Sequence, residues 1–269
     1  MRRLHLIELE DLPWFPAPVR DAGTDFLRFM LNVGNNYAPA VPLLAGALKC
    51  SGAGRIVDLC SGGGGPWQRL LPALAGAGVA CEVLLTDRFP NQAAAAALRA
   101  VRPTPGAVAY HAAPVDALAV PGELDGFRTL FSAFHHFPPE AAAGLLRDAV
   151  RSGAPIAVFE ATQRTGVSLA GILLAPLVLL LATPFIRPFR WSRLLLTYLI
   201  PAVPLMVLWD GIVSCLRSYT AAELRAMVAA VPEADAYEWA IGELRGPAPI
   251  PVTYLIGLPR AGYGSETTC

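Results

Sequence analysis

Four consecutive glycines, Gly62 to Gly65, follow a short apolar run that closes on an acid, Ile56-Val57-Asp58-Leu59, with Cys60 and Ser61 between. Glycines behind a buried strand let the backbone turn sharply and approach a ligand closely. The dinucleotide pattern G-x-G-x-x-G starts at Gly62 and Gly64 but meets Trp67 in its third place; begun one residue later, it ends on Gln68. The phosphate-loop pattern G-x-x-x-x-G-K is missing too. Asp58 would repel a pyrophosphate and suits a ligand carrying an ammonium group. A tight turn without a ligand is the plain alternative, and a second acid at the next strand end, Asp87, favours the ligand.

The elements that must position these residues alternate. Apolar strands are expected at Ile56–Leu59, Cys81–Thr86, Ala107–His111, Phe127–Ser132 and Pro155–Phe159. Helices are expected from Pro66, over Asn91–Val101 and over Pro139–Arg151. Such alternation predicts a parallel sheet covered on both faces. Before it, Phe26, Leu27, Met30, Leu31 and Val33 recur at near-helical spacing behind a capping candidate, Thr24. After it, Thr220 and Glu223 form a capping-box start. Strands Tyr237–Leu244 and Val252–Leu258 then flank a Gly-Pro-Ala-Pro turn. The division expected is an N-terminal helical cap (1–50), a ligand-binding half (51–162), an apolar insertion (163–217) and a closing helix and strands (218–269).

At the glycine turn the sequence resembles the class I S-adenosylmethionine-dependent methyltransferases. Asp58, Gly62 and Gly64 match the family's acid-x-Gly-x-Gly-x-Gly motif, with Cys60 in the first glycine's place. The resemblance implies an α/β Rossmann-like sheet with a C-terminal antiparallel pair, here carrying an apolar helical insertion after the fifth strand. It implies S-adenosylmethionine as cofactor, with Asp87 and its neighbour Arg88 at the ribose hydroxyls. Asp116 and Ala117 fall at the adenine, and Ser132 at the end of the fourth strand. Asp116 also fits a simple helix cap, and Trp67 and Phe89 fit packing as well as adenine contact. The run Phe131-Ser132-Ala133-Phe134-His135-His136-Phe137 resembles the family's fourth-strand motif, which ends in paired histidines.

Methyl transfer needs donor and acceptor held at attack distance and sometimes a proton removed. Bases for that step belong at the C-terminal ends of strands, where His135, His136 and Glu160 stand. Histidine titrates near neutrality, which favours His135 or His136; an imidazole that only caps a helix or lines the site is the alternative. No metal-ligand cluster accompanies them in the sequence. Two N-terminal segments, Asp11–Pro16 and Asn32–Tyr37, fall where resembling enzymes fold over the cofactor. Tyr37 is the contact candidate there.

The chain of 269 residues is 54% hydrophobic and 16% charged, with mean hydropathy +0.47. That excludes intrinsic disorder. Twenty-one basic residues balance twenty-one acidic ones, so nucleic acid is not an expected partner. Five scattered cysteines make neither a zinc pattern nor a disulfide framework, which fits a reducing cytosol. The N-terminus, Met-Arg-Arg-Leu-His-Leu-Ile-Glu-Leu-Glu-Asp, is too acidic for a signal peptide. The oligomeric state leaves no trace in the sequence.

The insertion is the unusual part. Residues 165–186 and 194–209 carry no charge, and Arg187, Arg190 and Arg193 lie between them with Trp191. A helix over the first run is about 33 Å long, enough to cross a bilayer. A spanning hairpin would place three arginines outside, against the positive-inside bias. Insertion at the cytoplasmic membrane surface suits the same charges better, and a soluble lid is the third placement. An apolar cover selects an apolar acceptor: a lipid, quinone, terpenoid or polyketide-like molecule, as in secondary metabolism. Two rivals stand beside methyl transfer. Aminopropyl transfer shares the fold but needs acids to hold a polyamine. A membrane-associated binding protein without turnover is compatible with Cys60 in the motif.

Overall fold

The computed structural model describes residues 1–100, 108–246 and 250–260. Its seven strands form one sheet in the order β3-β2-β1-β4-β5-β7-β6. They are β1 Arg55–Asp58, β2 Glu82–Leu85, β3 Val108–Tyr110, β4 Phe127–Phe131, β5 Ile156–Glu160, β6 Tyr237–Leu244 and β7 Val252–Pro259. The first five run parallel; β7 lies antiparallel to β5 and β6 antiparallel to β7. The order reverses between β1 and β4, and ligands of open α/β sheets bind beyond the strand ends at such a point. All residues of β4 and β5 are buried, as central strands of a sheet covered on both faces are; the polar ones in β4 are paired, Arg128 with Asp148 and Thr129 with Asp58.

Helices α1 Ala17–Gly34, α2 Val41–Ser51, α3 Trp67–Gly76, α4 Gln92–Ala100 and α5 Pro139–Ser152 precede the insertion. One sheet face packs Ile56, Val83, Phe127 and Phe159 against Leu44, Leu48, Leu70 and Leu74 of α2 and α3. The other packs Val57, Leu130 and Val158 against Leu145 and Leu146 of α5 and Leu224 and Val228 of α9, Ala221–Ala229. Trp67 belongs to the first core, edge-on to Phe131 at 5.3 Å. The Thr220–Glu223 capping box forms as the spacing predicts. Helix α1 starts seven residues before Thr24, since Pro16 and Pro18 fix backbone angles suited to a first turn; Thr24 lies inside it. Val101 and Ala107 of the expected helix and strand, residues 247–249 of the Pro-rich turn and residues 261–269 lie outside the described residues. Cys60, Cys81 and Cys215 are free thiols.

The insertion forms α6 Gly166–Ala182, a short α7 Trp191–Leu194 running into a π-helical turn Leu195–Leu199, and α8 Ala202–Arg217. It stacks on α1 instead of the sheet. Val19, Ala22 and Phe26 meet Leu179, Ala182, Val203, Met206 and Val207 in a third core. On α6, Ser168 and Leu179 turn inward while Val167, Leu173, Leu174, Leu177 and Leu181 are exposed. Gly211 lets α8 cross α6 closely, because a Cβ there would stand 2.9 Å from Ile172. The two ends of the insertion meet where Thr162 and Ser218 pair their hydroxyls at 2.9 Å.

The basic turn does not face outward as its composition implies. Arg193 is buried and donates to Asp25 of α1 at 2.5 Å, and Arg190 donates to Asp21 at 3.4 Å. Only Arg187 is exposed. A buried carboxylate draws the nearest guanidinium groups, because leaving either charge unpaired costs several kcal/mol.

Candidate functional site

The glycine turn is braced from behind. Asp58, 1% exposed, accepts from Thr129 Oγ1 at 2.6 Å and from Ser61 Oγ at 2.7 Å. Burial raises its pKa to about 6, although both hydroxyls favour the ionised form. Cys60 and Gly62 have φ of +57° and +50°, the left-handed region that suits glycine. Cys60 therefore adopts the backbone of the glycine whose place it takes. Gly63 admits no side chain, since a Cβ would stand 2.6 Å from the Thr24 carbonyl oxygen of α1. Gly62 donates its N–H to Asp87 Oδ2 at 2.7 Å and accepts from Tyr110 Oη at 2.8 Å.

Beyond the strand ends this turn walls a cavity of about 760 Å³, within the size range of small-molecule sites. Cys60, Gly62, Asp87, Arg88, Asp116, Ala117, Ser132, His135 and His136 all line it, so nine of the expected residues meet in one place. Asp58, Gly64, Tyr37 and Glu160 stand behind the lining. Tyr37 is buried with its hydroxyl 2.6 Å from Ser132 Oγ, which corrects its placing as a direct contact. Asp87 also accepts the Phe89 N–H at 2.7 Å, and its pKa is raised by burial. Asp116 is exposed and accepts the Leu118 N–H at 2.9 Å, a local turn bond made through one carboxylate oxygen. Phe89 lines the cavity beneath the Arg20 guanidinium, 4.1 Å from the ring centre. The roof is apolar: Ile172, Ala175 and Val178 of α6, Met206 and Val207 of α8, and Phe26 and Met30 of α1.

The imidazoles ride on a 3-10 turn, Phe134–His136, directly after β4. Glu160, at the end of the neighbouring β5, accepts the Phe134 N–H at 2.7 Å and lies 2.7 Å from His135 Nδ1. An ionised carboxylate only accepts, so Nδ1 donates and the basic nitrogen is Nε2. The rings of His135 and His136 stack at 4.4 Å.

Sequence patterns missed the N-terminal strap that reaches them. Asp210 of α8 accepts the N–H groups of Leu9 and Glu10 at 2.7 and 3.1 Å. Arg217 holds Asp11 at 2.6 Å and the Leu6 carbonyl at 2.6 Å. The strap thereby delivers a fully buried Glu8 to the imidazoles, with Oε2 2.9 Å from His136 Nδ1 and Oε1 3.8 Å from His135 Nε2. His136 Nδ1 also lies 2.9 Å from Asp11. Burial opposes charge on His136, but Glu8 and Asp11 outweigh it and raise its pKa well above the ordinary value. Burial among Glu8, Asp210 and Asp11 pushes Glu10 up to about 8, against the pull of His136. Burial lifts Asp210 to about 6.

These shifts share one sign above about pH 5. A carboxyl with a raised pKa keeps in the folded state a proton that the unfolded chain has released, so stability falls as pH rises through that pKa. His136, raised as a base, contributes stability that is lost above its folded pKa. Glu8 and Asp11 are shifted down and act only in the acid range. The urea midpoint is therefore expected to be higher near pH 5.5 than near pH 8.5. Asp58 alone, moved from 3.8 to about 6, contributes on the order of 1 kcal/mol between those two pH values, since most of its interval lies below pH 5.5. Equal midpoints would contradict the burial of these groups.

The sequence matches no family model and no curated protein. Solved structures do match. The plantazolicin methyltransferase BpumL, in complex with SAH, aligns over 94% of this chain and 94% of its own, at 11% identity and TM-score 0.58. The magnesium protoporphyrin IX methyltransferase ChlM from Synechocystis PCC 6803, with bound SAM, aligns over 96% of this chain and all of its own, at 12% identity and TM-score 0.51. An O-methyltransferase family protein from Burkholderia thailandensis aligns over 90% of this chain and 60% of its own, at 17% identity and TM-score 0.50. Likeness at these identities is a likeness of architecture, and the architecture of this chain is that of the class I S-adenosylmethionine-dependent methyltransferases.

Proposed function

We propose that the protein is an S-adenosylmethionine-dependent methyltransferase whose acceptor is an apolar small molecule reached at a membrane surface. One observation carries this: the glycine turn, Asp87 and His135 open onto a single cavity whose far wall is the apolar insertion. The residues fit the cofactor. The turn exposes backbone beside the cavity at Cys60 and Gly62, where a left-handed conformation brings the main chain forward. Asp87 accepts one N–H on each carboxylate oxygen and retains lone pairs for hydroxyl donors. Arg88 and Asp116 stand exposed at the same edge. When bound, the cofactor would supply a methyl group on a sulfonium. The chain would orient the acceptor, exclude water with α6 and α8, and receive an acceptor proton at His135 Nε2, with Glu160 stabilising the resulting imidazolium.

The test is calorimetric titration with S-adenosylhomocysteine, followed by transfer of labelled methyl from S-adenosylmethionine to membrane lipid extracts. Asp87→Ala is expected to weaken binding by roughly 1–3 kcal/mol; unchanged affinity would remove the ribose assignment. Binding without transfer to any extract component would favour a non-catalytic protein of the same fold.

The membrane part rests on the outer face of the insertion. Gly166–Phe185 has mean hydropathy 2.3, and by length and composition could cross a bilayer. Its Leu173 and Leu177 are exposed, and so are Phe185, Trp191 and Leu199 of the insertion, at 69%, 78% and 76%. Exposed apolar area of this kind is characteristic of contact surfaces. Arg190 and Arg193 hold the turn to α1, an arrangement that supports a surface-lying segment. Leu173→Glu with Leu177→Glu is expected to abolish co-sedimentation with phosphatidylglycerol vesicles, and Arg187→Glu to weaken it by about 1 kcal/mol. Sedimentation unchanged in the double variant would place the membrane contact elsewhere.

A further inference from the structure

Arg3 carries its positive charge against backbone carbonyls. Its Nε donates to the carbonyl of Arg217 at 2.5 Å, and its Nη2 to those of Phe137 and His135 at 3.1 and 3.3 Å. The guanidinium lies over the Tyr219 ring, 4.1 Å from its centre, and the same Nη2 stands 3.3 Å from His5 Nδ1. Burial draws its pKa below the ordinary value. We propose that Arg3 is a positioning residue of the methyl-transfer reaction: it fixes the turn that aims the His135 imidazole into the cavity. The inference rests on the reading of His135 as the base.

The end of α8 explains why Arg3 stands there. The last carbonyls of a helix lack partners within it, and the helix dipole favours a cation beside them. Leu4 takes the Leu216 carbonyl with its N–H at 3.1 Å, and Arg3 takes the next carbonyl with Nε. With the backbone anchored at Leu4, the guanidinium fork reaches across from the insertion to the turn after β4. The sequence hides this contact, since 132 residues separate Arg3 from His135.

The turn is weakly closed on its own. Its internal bonds, from the His136 N–H to Ala133 and from the Phe137 N–H to Phe134, are both 3.2 Å, at the long end of the range. Firmer holds come from distant elements. Glu160 grips one side, at the Phe134 N–H and His135 Nδ1, each at 2.7 Å. Arg3 grips the carbonyls on the other side, and Tyr219 Oη donates to that of Phe137 at 2.8 Å. Drawing the carbonyls of His135 and Phe137 to one nitrogen fixes the peptide planes that follow the imidazole. Without Arg3 the turn is free to rotate about its Glu160 side, and the bond at Nδ1 loosens with it. A misplacement of about 1 Å at a reacting group costs up to about 10²-fold in rate.

The test reads the imidazole directly, by magnetic resonance of the full chain with nitrogen-labelled histidine and no methyl donor. The His135 signals are assigned by their loss in His135→Ala. Arg3→Met is expected to move the ring-nitrogen shifts toward a mixture of tautomers and to speed exchange of the Nδ1 proton with water about tenfold or more. Methyl transfer to membrane lipid extract should fall about 10–100-fold in the same variant, with S-adenosylhomocysteine affinity within about twofold of the parent. Arg3→Lys keeps the charge but lacks the fork, and should fall between the two; it decides if circular dichroism shows Arg3→Met to be unfolded. A role limited to stability would lower the urea midpoint and leave the His135 signals in place. Unchanged signals in a folded variant overturn the proposal, and so do altered signals with transfer undiminished. Absence of transfer by the parent chain is a different outcome, which removes the methyltransferase reading itself.

Discussion

Replacing Asp25 by alanine is expected to destabilise the fold by about 3–5 kcal/mol, the usual loss when one partner of a buried ion pair is removed. Asp25 is wholly buried, and around it stand Arg193 at 2.5 Å, Arg190 at 3.6 Å and Arg28 at 3.7 Å. Without the carboxylate, Arg193 keeps only the carbonyls of Ile186 and Pro188, each 3.0 Å away. The damage should spread, because Asn91 at the start of α4 joins the same cluster through Asp25 and Arg190. Urea unfolding measures the loss directly. A second variant, Asp25→Ala with Arg193→Met, should recover part of it, since it removes the guanidinium closest to the lost carboxylate while Arg190 keeps Asp21. A loss below about 1 kcal/mol in the single variant would mean that water reaches the cluster.

His135→Ala is expected to lower methyl transfer by about 10²–10⁴-fold, the range of general-base assistance, with S-adenosylhomocysteine affinity nearly unchanged. The expectation rests on one imidazole that lines the cavity, held by Glu160 on Nδ1 and with Nε2 3.8 Å from Glu8 Oε1, beyond hydrogen-bond reach. Glu160→Gln is the matching positioning variant. An amide can turn its N–H to the ring and favour the wrong tautomer, so the pH profile of turnover should shift along with the rate. A loss below tenfold in His135→Ala, with the true acceptor in hand, would demote the imidazole to a wall of the cavity. That outcome fits an acceptor already nucleophilic, such as an amine or an electron-rich alkene.

The two residues differ in how far the chain alone announces them. His135 follows an apolar strand and sits beside a second histidine, a local pattern. Asp25 has no local signature at all; it reads as one more polar residue of a helix. The same contrast runs through the molecule. Strands β4 to β7, helix α5 and the capping box at Thr220 fall within a residue or two of where apolar runs, prolines and glycines put them. Each of those signals is complete within about ten residues. The glycine turn was legible for the same reason, as was its acid, Asp58. That Asp58 faces backward to Thr129, not into the cavity, was not legible, because Thr129 belongs to a strand 71 residues away.

By itself the sequence determined the order of elements, the parallel sheet, the glycine turn and the apolar character of the insertion. Those follow from periodicity, propensity and backbone restriction, all of which act between near neighbours. Tertiary structure alone decided that Glu8 meets the paired imidazoles, that Tyr37 braces Ser132 from the core, and that two arginines of the basic turn bury themselves on α1. The bond from His136 to Asp11 spans 125 residues, and that from Arg193 to Asp25 spans 168. Charges in a water-poor interior are paired by proximity after folding, and a chain read in one dimension carries no measure of that distance.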